Sequence, residues 1–242
     1  MKKLMPLIPS IIFIMSCGEN TNTNTDQPST TAVSVLLDVT DPRAYWPSLT
    51  DIQSLFHCKE TPNAECLFRL RIITDKKLAP VIKYRLADAQ SLEKDNTEDD
   101  PQFRDKSIET FYRMIQKGMK DFYSSNDTTH SAANSECFRV IADELSTLSS
   151  IQHGERILVV VSDLLEKSDL ADFYGKSSRD LRAIVERLDK TRLLPNDLSN
   201  VRIIFLFNPH NRKEDQAFSF SSEVYQQLLQ SKHAIVKVQA NL

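Results

Sequence analysis

The oxygen-bearing side chains Asp38, Thr40 and Asp41 stand together at the end of an apolar run, within AVSVLLDVTDP, and Pro42 closes the group. Ser162 and Asp163 end a second run, ERILVVVSD, in the same way. Carboxylates and hydroxyls are hard donors suited to Mg²⁺, Mn²⁺ or Ca²⁺. The runs themselves are continuously hydrophobic, apart from Ser34 in the first. Continuous rather than alternating hydrophobicity marks a strand covered by helices on both faces of a parallel sheet. Such strands would carry the acids to the carboxyl edge of that sheet.

Other chemistries find less support. There is no G-x-S-x-G elbow and no Walker loop, and four glycines in 242 residues argue against phosphate cradles built from close backbone approach. The five histidines are scattered and no C-x-x-C pair occurs, which disfavours a zinc or thiol-redox centre. Cys58 and Cys66 lie across KETPNAE, where Pro62 and Asn63 favour a turn, so a small disulfide loop is expected between them. Cys137 falls in a helical pattern and reads as a buried small hydrophobe.

The chain opens with MKKLMPLIPSIIFIMSC: two lysines, a short apolar run, a small residue and a cysteine. A bilayer-spanning helix needs about 20 apolar residues, so the run reads as a targeting segment. Ile14-Met15-Ser16-Cys17 resembles the lipobox of bacterial lipoproteins. That resemblance implies cleavage before Cys17 and acylation of it, with palmitate-type chains that together anchor stably where one would not. Export to the bacterial cell membrane or outer membrane, on the periplasmic or surface side, is the expected location. Loss of Lys2 and Lys3 with the leader takes the formal charge from −3 to −5, which disfavours nucleic acid as a partner. Residues 17–31 include GENTNTNTDQPSTT, which holds no large apolar residue and reads as a flexible tether. Residues 1–16 are thus assigned to a signal peptide and 32–242 to one α/β domain.

Within that domain the periodicities predict a short helix from Pro47 to Phe56, strands from Leu67 to Thr74 and Ala79 to Leu86 forming a hairpin, and helices over Lys106–Tyr123 and Ser135–Leu148. Ser135 or Asn134 would cap the latter. The strand Glu155–Asp163 follows, then a helix from Ser178 to Thr191, the strand Val201–Asn208, the helix Glu214–Gln230 and the strand His233–Val238. Tyr45 and Trp46 are expected to pack under the first helix.

This order of elements resembles the von Willebrand factor A (vWA) domain. The resemblance implies a doubly wound, mostly parallel six-stranded sheet of order 3-2-1-4-5-6, with one antiparallel edge strand and helices on both faces. It also implies a metal-ion-dependent adhesion site. Asp38 matches that motif's first ligand and Thr40 its second by hydroxyl exchange, whereas Pro42 replaces the third, so the motif is degenerate. Asp163 matches the later aspartate, and Thr128, Thr129 or Ser131 would meet the loop threonine. In such a sheet the point between the first and fourth strands is where the order reverses and ligands collect. The implied role is non-enzymatic: protein binding on the cell envelope, assisted by Mg²⁺, Mn²⁺ or Ca²⁺. Two alternatives stand beside it. Haloacid-dehalogenase-type phosphohydrolases also place an Asp after a first strand, but their second acid would fall at Thr40. The other is a metal-free structural component of an envelope assembly, with Asp38 and Asp163 only bonding loop amides.

Overall fold

A computed structural model describes residues 30–39, 45–61, 64–73, 81–88, 101–125, 135–174 and 180–242. Residues 1–16, assigned to a signal peptide, Cys17, most of the stretch assigned to a tether, Thr40 to Pro42 and the three loop-hydroxyl candidates lie outside the described residues.

Six strands, β1 (Thr30–Asp38), β2 (Glu65–Ile73), β3 (Val81–Leu86), β4 (Gly154–Val161), β5 (Val201–Leu206) and β6 (Ile235–Gln239), form one sheet of order β3-β2-β1-β4-β5-β6. All neighbours are parallel except β2 and β3. This is the expected doubly wound arrangement with one antiparallel edge strand. The described helices are α1 (Leu49–Gln53), α2 (Pro101–Ser125), α3 (Cys137–Ser149), α4 (Leu181–Lys190) and α5 (Arg212–Gln230). Among the described residues no helix is long and apolar enough to cross a membrane.

The sheet separates two cores, and the alternation of side chains along β1 feeds both. Val33, Val35 and Leu37 pack with Ile52 of α1 and Phe111 and Ile115 of α2. Ala32 and Leu36 pack with Ile141 and Leu145 of α3, Ile184 of α4 and Tyr225 of α5. Ser34 shares the parity of Ala32 and Leu36, and its hydroxyl donates to Glu144 of α3 at 2.8 Å. Arg69 of β2 grips the same carboxylate with two nitrogens, and Arg71 pairs with the neighbouring Asp143. One polar residue in an otherwise apolar strand therefore answers a buried acid on the helix above it.

Several boundaries differ from expectation for local reasons. β1 begins at Thr30, inside the stretch assigned to the tether, because Thr30 and Thr31 pair on both sides, with Glu65 and Cys66 and with Gly154 and Glu155. Gly154, which opens β4, has φ +113°, and a Cβ there would fall 1.8 Å from the Thr30 carbonyl oxygen, so only glycine fits. Ser48 caps α1 in a reciprocal box with Asp51, leaving Pro47 before the cap instead of in the first turn. α2 starts at Pro101, a residue that needs no intrahelical donor at a helix start, and so begins five residues before the expected Lys106. Tyr45 donates to Asp51 at 2.5 Å, and the Trp46 ring lies 4.2 Å from that of Tyr123, so both aromatics pack around the α1 entrance.

Candidate functional site: an acidic crevice at the strand-order reversal

β1 and β4 run side by side, with Leu37 opposite Val161, so Asp38 and the pair Ser162-Asp163 leave the sheet together. From there the connections diverge, β1 leading to β2 on one flank and β4 to β5 on the other. A crevice at the carboxyl ends of parallel strands follows from that divergence.

Asp38 is buried, 3% exposed, and its Oδ2 accepts the Ser162 hydroxyl at 2.8 Å. The Ser162 oxygen in turn accepts the Leu164 amide at 2.9 Å. Leu164 is fully buried and takes φ +58°, a left-handed conformation that a branched, bulky residue adopts only under constraint. Asp163 is half-buried; its Oδ1 accepts the Leu165 amide at 2.9 Å, while its carbonyl accepts the Ser221 hydroxyl of α5 at 2.7 Å. The exit of β4 is thus locked into a tight turn at the sheet edge where β1 ends.

Cys137 closes the floor. Its sulfur lies 3.1 Å from the Ser135 hydroxyl and 3.8 Å from that of Ser162, and the residue is completely buried. Burial, together with the negative charges of Asp38, Glu166 and Asp163, raises its pKa well above that of an ordinary thiol, so it stays neutral. Cys137 is therefore a buried small residue, as expected, but one at the site's floor. Glu166 is also fully buried, and its Oε2 accepts the Phe138 amide at 2.8 Å and the Tyr225 hydroxyl at 3.2 Å. Desolvation raises its pKa. Partial burial and the charges of Asp163 and Asp38 raise that of the Tyr174 phenol, which places this ring in the field of the same acids.

The cap expected from Ser135 is supplied differently. Glu136 occupies the N-cap position of α3 without a side-chain bond, and the orphan amide of Phe138 is satisfied by Glu166, from the far end of the next strand. Ser135 instead bridges to Lys167, whose amide donates to its carbonyl at 2.9 Å. Glu166 and the left-handed Leu164 were missed in the sequence reading. An isolated acid between two leucines and a lysine just past a buried strand was the available signal for Glu166.

Of the sequence-derived site residues, Asp38 and Asp163 leave neighbouring strands at the same sheet edge, and Thr40 lies outside the described residues. Among the described residues no group of three or more His, Cys, Asp or Glu side chains forms a metal cage. Cys58 and Cys66 are buried and unjoined, both free thiols, in place of the expected disulfide. They sit at the opposite end of the sheet, since Cys66 pairs with Thr31 at the start of β1.

Fold and crevice define an α/β protein whose adjacent central strands deliver two carboxylates to the reversal point. No protein-family model matches the chain, and comparison with curated proteins finds no match.

Proposed function

We propose that this protein is a membrane-anchored lipoprotein of the bacterial cell envelope whose vWA-like domain binds a protein partner at the acidic crevice, assisted by a divalent cation. The observation that carries this reading is that adjacent strands bring Asp38 and Asp163 to the same sheet edge at the strand-order reversal, with the Ser162 hydroxyl held on Asp38 at 2.8 Å. Every donor there is a hard oxygen, in keeping with Mg²⁺, Mn²⁺ or Ca²⁺. Asp38, Thr40 and Asp163 would hold the ion. A bound cation would offer an open coordination position to a carboxylate on the partner.

Thermal unfolding across millimolar Mg²⁺, Mn²⁺ and Ca²⁺ tests the metal: the wild type gains Tm and Asp38→Ala abolishes the gain. An unchanged wild-type Tm in all three ions removes the cation from the proposal. A metal-free structural module is the second reading, favoured by the bonds that Asp38 and Asp163 already make to Ser162 and the Leu165 amide. It predicts cation-independent co-purification of a partner from native membranes. The anchor is tested separately, since Cys17→Ala should abolish palmitate incorporation and membrane association.

A further inference from the structure

Ser162 follows directly on β4, and its hydroxyl is held from both sides. Its amide donates to the Leu206 carbonyl at the end of β5 at 3.3 Å, so the backbone at this position is tied to the neighbouring strand. A serine hydroxyl has one proton to donate and two lone pairs with which to accept. Here the oxygen accepts the Leu164 amide at 2.9 Å and lies 3.8 Å from the Cys137 sulfur, while the proton goes to Asp38 Oδ2 at 2.8 Å. The direction of that proton is set by the fold, because the Leu164 amide fills the acceptor side of the hydroxyl and leaves donation to Asp38. Ser162 is 2% exposed and Asp38 is buried with it, so bulk water does not compete for the bond.

A carboxylate that is to hold a cation meets two demands that pull apart. It must be kept in one orientation, and the group that orients it must not bring the positive charge that the ion would otherwise supply. Glu144 is oriented by the guanidinium of Arg69, which compensates its charge in the same contact. Asp38 is oriented by a neutral hydroxyl instead. Ser162 thus fixes Oδ2 without adding a cation of the protein's own.

We propose that Ser162 is a positioning residue of the crevice: its hydroxyl holds the Asp38 carboxylate in the orientation that binds the divalent cation. Affinity for the ion then depends on a side chain that acts only through Asp38. This rests on the cation reading of the crevice given above. A serine that merely closed the turn onto the Leu164 amide would affect folding stability and leave affinity for the ion unchanged.

The experiment titrates the full-length protein with Mg²⁺, Mn²⁺ and Ca²⁺ in turn by calorimetry, with the Tm in the absence of ion recorded for each variant. Ser162→Ala should bind about tenfold more weakly than the wild type, as expected for loss of a group that orients a ligand. Ser162→Thr, which keeps the hydroxyl, should return to the wild-type Kd. Wild-type affinity in Ser162→Ala, even with a lowered Tm, would overturn the positioning role and leave the cation reading standing. A Ser162→Thr as weak as the alanine variant would do the same. A wild type that binds none of the three ions overturns both. Because Ser162→Ala can misfold, nuclear magnetic resonance of the wild type supplies a second readout: the Leu164 amide signal should shift with Mg²⁺ or Ca²⁺, or broaden with Mn²⁺, at the calorimetric midpoint. An amide unmoved when the ion is saturating would show that the hydroxyl it bonds does not position a ligand, and the proposal would fall.

Discussion

Glu144 and Asp38 are both buried carboxylates on or above the central strand, and they are treated in opposite ways. Glu144 is 0% exposed and sits inside a closed set of donors, the Ser34 hydroxyl and two nitrogens of Arg69. Its charge is compensated within the core, and the result is a fastener between α3 and the sheet. Asp38 lies on the same strand four residues beyond Ser34, where it meets a hydroxyl and the neighbouring acids whose charges reach the Cys137 thiol. Under the proposed function a divalent cation at that strand end would be held by Asp38 and Asp163. Glu144 is a carboxylate that holds the fold; Asp38 is the one to which the proposed function assigns a cation.

Arg69→Ala should give the largest effect. Removing one partner of a buried ion pair strands the other, and a loss of about 3–5 kcal/mol in urea unfolding is expected. A loss below about 1 kcal/mol would mean that Glu144 is not fastened as described. Asp38→Ala attacks the other side of the comparison: the cation-dependent part of wild-type stability, about 2.7 kcal/mol when the ion stands at a hundredfold its Kd, should vanish. Glu144→Gln, in contrast, should leave the cation response intact while lowering stability in its absence. Ser34→Ala removes one of the donors to Glu144 and should cost about 1 kcal/mol in the same unfolding assay.

The smallest effect concerns Glu166, a third buried acid whose neighbour Glu136 adds to the desolvation that raises its pKa. A raised carboxyl pKa means that the folded state holds the proton more tightly than the unfolded chain. The stabilising contribution is therefore complete below about pH 4.3, the unfolded value, and is lost as pH rises through the folded value. Glu166→Gln, which keeps an oxygen for the Phe138 amide and the Tyr225 hydroxyl, should gain on the wild type as pH climbs from about 4 toward neutrality. A difference that stays flat with pH would show that Glu166 is not held protonated by its burial.

The strands and the two acid-bearing strand ends were legible because they rest on local pattern, unbroken apolar runs and a polar cluster where each run stops, whereas the strand order came from the resemblance of the element order to the vWA domain. Ser34 was visible only as an exception to such a run. Its reason, Glu144, lies more than a hundred residues away on a helix whose own periodicity marks position 144 as core without saying how a charge survives there. The cap of α3 failed for a similar reason, since Ser135 satisfied the local rule while the amide it would have served was taken by Glu166 from beyond β4. Likewise the added residues of β1 owe their pairing to Gly154, whose left-handed φ brings that strand against Thr30. What was hidden in each case was a partner distant in sequence.

The central position of β1 also has a consequence in time. Of the described elements it is the first to be made, yet its neighbour β4 begins at Gly154, and both layers of helix that cover it come from residues after Asp38. Parallel pairing at such separation must close a long loop before it is rewarded, and such contacts form slowly. Until the chain has been made past Val161, the apolar stretch from Ala32 to Leu37 has only one of its two flanking strands available. A chain so ordered cannot complete its sheet early, which leaves a window in which the apolar strand is open to aggregation.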